Sequence, residues 1–404
     1  MTNRFSAKSH IRFARKPLSW DREGLLDTSY AHASGRIRLL EERFLGFDDF
    51  EKLADSKTSD SERGQILDAA AYPAADYLEK RVLLGRSENN KLLKELDQNG
   101  PLTRALLLDI DYHNLKSLLK HYLLAEEGLA DTSTEQREDI NAKTKLPVAV
   151  QSVLIPDGYT DLQLMRKAIL ETIALEKSEL EDMATAVPSD ETVWSPVAID
   201  PELQRSMAKL ILAWYQHPEA LTIAIEADKL YFDHAQKIIH DPKIGTAKWF
   251  LQDYFSLKAD IANLQMLLRV RKFHGGHAYL KRILVCGGEV DPTKLINLYD
   301  SSTEDIIELW QKDGGLTKEL AEKIQDAEKH DDVWALGEAS DNLLMRLAEQ
   351  GRRQTFSADT LAGFWLSRQI EGQNLRILFS GLERGYSGQR LLNLLRVIYR
   401  RKGR

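Results

Sequence analysis

Asp109-Ile110-Asp111-Tyr112-His113-Asn114 gathers two carboxylates, an imidazole and a carboxamide in one short stretch. Such a set could hold Mg²⁺ or move a phosphoryl group. On an α-helix, however, residues two apart point ~200° from each other, so Asp109 and Asp111 cannot share one ion. His274-Gly275-Gly276-His277 is a second candidate ligand pair, with no further His or Cys to support it except Cys286. A solvated loop accounts for it more simply than a zinc site. The chain has no G-x-x-x-x-G-K-[ST], no G-x-G-x-x-G, no G-x-S-x-G and no H-E-x-x-H, so the phosphate-cradle and hydrolase signatures are missing. The sequence therefore predicts no catalytic residue, no metal and no cofactor, and an enzyme built on Asp109–His113 is the weakest reading of this stretch.

The stretch says more as a pattern. DYHNLKSLLK (111–120) returns as DIANLQMLLR (260–269) and EGQNLRILFS (371–380). In each copy an acid stands three residues before an Asn-Leu pair: Asp111 before Asn114-Leu115, Asp260 before Asn263-Leu264, Glu371 before Asn374-Leu375. Ala262 and Gln373 replace His113, which removes the imidazole from the shared pattern. On a helical wheel the acid falls ~40° from the Leu, inside the apolar stripe, and the Asn lies ~100° away on its flank. A carboxylate on a core-facing stripe is costly unless partnered, and an Asn three residues on is a neighbour able to donate to it. The expected role is structural: the polar pair fixes the register of a crossing helix or ties down a loop's backbone.

The elements that must position these residues read as helices. Pro (11) and Gly (23) are scarce, and β-alternating runs bounded by turn residues are absent. From Tyr30 to Phe44 the apolar spacing is helical, with Arg38 and Glu42 four apart and able to pair. Two more helices are expected through Leu96, with breaks near Lys57–Asp60 and Gly85–Asn89. Asn99-Gly100-Pro101 is a turn, and Pro101 is placed to open the helix of the first copy. After each copy come glycine turns (Gly158; Gly287 and Gly288; Gly385) and a short amphipathic helix, with Asp291 as N-cap and Pro292 at the first helical position of the second. These turns are candidate interface points. Before each copy helices begin at Tyr30, Asp228 and Ser340. A motif repeated over most of a chain signals repeated units. The expected fold is all-α, with a basic arm at 1–28 and helical units at 29–186, 187–325 and 326–404. The polar stretch 126–147 reads as an insertion, and 187–201, with Pro188, Pro196 and Pro201, as a linker.

Composition narrows the classes. With 404 residues the chain has room for two to four domains. No apolar run approaches the ~20 residues of a membrane span, and the single Cys286 excludes a disulfide framework and suits a reducing cytosol. The net charge of −7, with +4 in residues 1–24 and +7 in 376–404, leaves −18 between them. Basic ends on an acidic body suit a surface that meets phosphate head groups or an acidic partner. They do not interleave aromatics as a nucleic-acid platform does.

The ordered set YAHASGRIRLLEE (30–42), YHNLKSLLK (112–120), DIANLQMLLR (260–269), GGEVDPTKL (287–295) and EGQNLRIL (371–378) resembles the C-type subunit family of bacterial and archaeal V/A-type ATPases, the counterpart of the d-type subunit of eukaryotic V-ATPases. The resemblance implies a non-catalytic, all-helical funnel of three similar units about a pseudo-threefold axis. Such a protein sits on the cytoplasmic face of the membrane, between the rotor proteolipid ring and the D and F subunits of the central shaft. This chain departs from the pattern in its length, with the surplus in 1–28, 126–147 and 182–203, and in its basic end RVIYRRKGR. The reading from a different class is a soluble helical scaffold unrelated to ion transport.

Overall fold

The computed structural model describes residues 28–98, 100–128, 146–186, 199–313, 321–325, 333–354 and 356–399. The basic arm up to residue 27, most of the 126–147 insertion, most of the linker and the last five residues lie outside these. The fold is all-α, with no strand among the described residues.

In chain order the helices are α1 (Ala31–Leu40), α2 (Phe47–Ala54), α3 (Asp60–Ala69), α4 (Leu78–Leu96), α5 (Pro101–Leu106), α6 (Leu108–Gly128), α7 (Val148–Val153), α8 (Leu162–Ile173), α9 (Lys177–Thr185), α10 (Pro201–Gln216), α11 (Ala220–His240), α12 (Lys248–Lys272), α13 (Gly276–Ile283), α14 (Pro292–Asn297), α15 (Thr303–Asp313), α16 (Val333–Arg353), α17 (Ala358–Glu383) and α18 (Gly388–Leu394). Their starts follow the local chemistry. Asp161, Asp200 and Asp291 accept backbone N–H bonds at the first turns of α8, α10 and α14, and Pro201 and Pro292 occupy first-turn positions where no N–H is missed.

Four local expectations need correction, the first being that the helices expected to begin at Asp228 and Ser340 start earlier, at Ala220 and Val333. Pro101 opens α5, a separate short helix, and the motif helix α6 starts only at Leu108. Arg38 pairs with Glu41 at 3.3 Å and not with Glu42, because residues 41–43 tighten into a 3₁₀ turn that changes the phase of the face. α4 runs unbroken through Gly85–Asn89. The break falls earlier, at the Ala71–Pro73 turn, where Ala71 has φ 58°. Gly85 lies against a ring: a Cβ there would come within 2.4 Å of Tyr72 Cδ1.

Three motif helices, α6, α12 and α17, run through a large common core that also takes residues from α1, α4, α5, α8 to α11 and α16. Beyond the Asn, α12 and α17 each enter a satellite core. Leu264 opens one with α13 to α16. Leu375 opens the other with α2, α3, Tyr72, Val82 and α18. Leu115, the third equivalent, is fully buried in the common core. Each such Leu contributes roughly 1.5–3 kcal/mol by burial. Residues 45–82, which the sequence grouped with the first copy, thus pack against the end of the chain. α4 and α1 also lie along α17.

Candidate functional site

All six acid and Asn side chains of the repeat are buried. Each Asn uses its carboxamide as a peptide edge and bonds both backbone groups of one residue. Asn114 Oδ1 accepts from Ile155 N–H at 2.9 Å while its Nδ2 donates to Ile155 C=O at 2.8 Å. Asn263 does the same with Val285, at 2.9 Å both ways, and Asn374 with Arg396, at 2.7 and 3.3 Å. The gripped residue always follows the C-cap of a short helix: Leu154 after α7, Leu284 after α13, Leu395 after α18. There the chain turns extended and its backbone groups lose their helical partners. The Asn supplies replacements.

The acid takes the next turn of the same loop. Asp111 accepts the Thr160 N–H at 3.0 Å and its hydroxyl at 2.8 Å. Asp260 accepts the N–H groups of Glu289 and Val290, each at 3.1 Å. Thr160 and Val290 hold corresponding places, each just before the N-cap Asp of the next helix. Between the two grips the loops match. Asp157 and Gly287 both adopt positive φ, 62° and 99°. Gly158 and Gly288 follow them, and a Cβ at either would lie 2.4 or 2.2 Å from the Asp111 or Asp260 carboxylate. Only glycine lets the backbone come that close.

Glu371 reaches elsewhere. It accepts the Leu45 N–H at 2.7 Å and the Tyr72 hydroxyl at 2.9 Å, with Arg368 hydrogen-bonded beside it. Leu45 again immediately precedes an N-cap, Gly46 of α2. The role is the same as that of Thr160 and Val290, filled from the opposite end of the chain. Gly385, with φ 73°, turns α17 into α18 and has nothing within 4 Å of where a Cβ would stand, so it is not part of this contact.

Burial pushes Asp111 up to about 7, against the lowering effect of the Thr160 bonds and Lys94. Asp109 points away, 3.6 Å from Lys258 Nζ, and His113 Nε2 lies 2.7 Å from the Val153 carbonyl. The three side chains do not converge. His277 lies 3.3 Å from Asp300, and among the described residues no group of three His, Cys, Asp or Glu could hold a metal ion.

A second polar cluster was not singled out in the sequence. Asp200 caps α10 and pairs with Arg104. His234 Nε2 lies 3.6 Å from Asp200, and its Nδ1 is 3.3 Å from the Tyr112 hydroxyl, which meets Ser206 Oγ at 2.7 Å. Burial pushes the Asp200 carboxyl up, but the bond and charge of His234 and the Arg104 charge hold it well below the usual range. The residue types imitate a hydrolytic triad, yet Ser206 and His234 are fully buried. The cluster ties α5, α6, α10 and α11 together.

The loop partners missed in the sequence had a signal there. IPDGYTD (155–161) and VCGGEVD (285–291) share an apolar start, a Gly at the fourth place and an Asp cap at the seventh. The family model described as ATP synthase (C/AC39) subunit matches residues 33–394. No curated protein matches the chain.

Proposed function

Since the chain belongs to the ATP synthase (C/AC39) subunit family, we propose that it is the non-catalytic rotor adaptor of a V/A-type ion-translocating ATPase. It joins the central shaft, formed by the D and F subunits, to the membrane proteolipid ring. The observation that carries this reading is the threefold use of one backbone lock. A motif helix grips an extended residue through Asn and the residue before the next N-cap through an acid. Three stiff, equivalent supports suit a part that transmits torque between two partners.

The units regroup in this proposal. Residues 45–96 complete the third unit with 333–399, because Glu371 holds Leu45 and the satellite core joins the two segments. The three units then stand around a pseudo-threefold axis as a funnel, each offering one knob to the ring: α7 to α9, α13 to α15, and α2, α3 and α18. No described helix is long and apolar enough to cross a membrane. The chain works at the cytoplasmic face, and its basic ends touch the membrane surface.

Affinity purification of the tagged chain from detergent-solubilised membranes tests the proposal. The proteolipid, D and F are expected with it, and stripping the chain should uncouple the shaft. Recovery only in a soluble assembly, with the ATPase intact, would favour the scaffold reading. Asp109→Ala with His113→Ala should leave coupling unchanged. A metal-dependent activity lost in that variant would point to an enzyme instead.

A further inference from the structure

The seam between α5–α6 and α10–α11 is closed by a polar chain of Arg104, His234, Tyr112 and Ser206, with Asp200 at its side. His234 and Ser206 have no exposure and Tyr112 has 2%. The shared lock does not need this chain, because Ile261 and Gly372 stand at the place of Tyr112 in the other two copies. Arg104 Nη2 lies 3.3 Å from His234 Nε2, His234 Nδ1 lies 3.3 Å from the Tyr112 hydroxyl, and that hydroxyl lies 2.7 Å from Ser206 Oγ. Asp200 is paired with Arg104 and sits 3.6 Å from His234 Nε2.

These contacts assign the protons. A guanidinium only donates, so His234 Nε2 accepts from Arg104 and the imidazole is neutral, with its proton on Nδ1. Nδ1 then donates to the Tyr112 oxygen, and the Tyr112 hydroxyl donates to Ser206. Every bond runs the same way, from Arg104 inward. A proton added at Nε2 breaks this order at its first link. Two cations would then present N–H to N–H at 3.3 Å, and the acceptor left for Nε2–H is Asp200 Oδ2.

The surroundings make that exchange available. Asp200 caps α10, where its Oδ1 takes the Glu202 and Leu203 N–H groups at 2.9 and 3.4 Å, and its Oδ2 faces both Arg104 and His234. Burial pushes its carboxyl up, but His234 and Arg104 hold it well below the usual range, so an ionised acceptor is present throughout neutral pH. Asp111 of α6 acts on Asp200, Glu202 of α10 and Asp233 of α11 act on Tyr112, and Tyr159 ahead of α8 feels both Arg104 and Asp200. Glu202 is itself tied by Lys237 and, at 3.3 Å, by Arg205. On the α12 side Lys258 donates to the Tyr231 hydroxyl at 2.9 Å. Arg104 has a way out: its side chain keeps 27% exposure where Asp200 keeps 5%.

We propose that His234 is a proton-operated latch between α5 and the α10–α11 pair. Neutral, it holds Arg104 across the seam. Protonated, it takes Asp200 for itself and releases Arg104 toward solvent, so that α5 loosens from the first turn of α10. Histidine is the side chain whose charge ordinarily changes between about pH 5 and 8, and here the change exchanges one bond between helices for another. The latch stands independently of the adaptor reading.

Histidine-selective nitrogen NMR of the full-length chain, with the His234 signals identified through His234→Gln, tests the latch. At about pH 8 the proton should sit on Nδ1, and the second should arrive at Nε2 on acidification toward about pH 5. Over the same range hydrogen exchange, corrected for its intrinsic pH dependence, should show α5 and the first turn of α10 losing protection about tenfold, the scale of one lost hydrogen bond, while α14 and α15 keep theirs. In His234→Gln, whose carboxamide can bond Arg104 and Tyr112 but takes up no proton, that loss should vanish. If this variant does not fold, Arg104→Gln serves instead: without the displaced cation, His234 should take its second proton at a higher pH than in the unaltered chain. A proton resting on Nε2 at high pH, an imidazole still neutral at about pH 5, a protection loss that persists in His234→Gln, or a titration that Arg104→Gln leaves in place overturns the latch.

Discussion

The first two locks and the third perform the same task with different connections. In the first two, the acid holds a residue 49 or 30 positions downstream on a continuous chain. In the third, Glu371 holds Leu45, 326 positions upstream. Closing so long a loop costs about 2 kcal/mol more than closing a short one, and the third lock carries more bonds. Glu is one methylene longer than Asp, and Tyr72 and Arg368 join it. Arg81 adds bonds to the Pro73 and Gly64 carbonyls, and Arg63 to those of Leu53 and Asp55. Tyr399, near the C-terminus, stacks on Phe44 at 4.2 Å and donates to Glu41 at 2.7 Å. Local geometry is repeated while chain order is not, so what the three units share is the grip itself.

The largest effect should come from the glycines, which differ between the regions. Gly288→Ala puts a Cβ 2.2 Å from the Asp260 carboxylate and must break that lock or shift the loop, at a cost of about 3 kcal/mol. Gly385→Ala meets no atom within 4 Å and loses only about 1 kcal/mol for the left-handed backbone. Urea midpoints of the two variants should separate clearly. Equal midpoints would mean that close approach is not why glycine stands at 288.

Next in size are the Asn residues. Asn263→Ala and Asn374→Ala each leave a buried N–H and C=O without their partner, a loss of about 2–3 kcal/mol. If the third lock matches the others, the two costs agree within about 1 kcal/mol. A negligible cost at Asn374 would show that the third grip is nominal.

Much of this was legible in the sequence, and the limit has a physical cause. Helical periodicity gave the all-α class, and the acid-Asn-Leu spacing located the motif helices, because both depend on residues within a few turns of one another. The partner of Glu371 was not legible, since nothing within reach of that helix in sequence points to Leu45. The grouping of residues 45–82 with the C-terminal helices is likewise a tertiary outcome, set by which apolar face Leu375, Leu378 and Phe379 could cover. Gly85 failed as a break signal because a neighbouring Tyr72 ring, and not a turn, explains the missing side chain.

The extra length of Glu371 gives a smaller, more local test. Glu371→Asp cannot reach Leu45 and Tyr72 together, and should cost about 1–2 kcal/mol. Amide exchange is expected to speed up in α2 and α3 while α8 and α14 keep their protection. Uniform acceleration across all three regions would mean that the third unit does not open separately.

The remaining expected signal is a slope rather than a shift at one pH, and it belongs to the first lock. Asp111 is pushed up to about 7 in the folded chain by burial, from an ordinary value of 3.8. Between those values the native state holds a proton that the unfolded state has released. The contribution of this group is therefore fully present below pH ~4 and is lost as pH rises toward 7, by at most about 1.4 kcal/mol per pH unit. Other carboxylates tilt the whole-chain curve, so the measurable quantity is the difference between the unaltered chain and Asp111→Asn. That difference should fall steadily from pH 4 to 7 and level off above it. A flat difference would place the Asp111 carboxylate in the ionised form throughout, held by Thr160 and Lys94, and would make the first lock electrostatic in the way the Glu371–Arg368 contact already is.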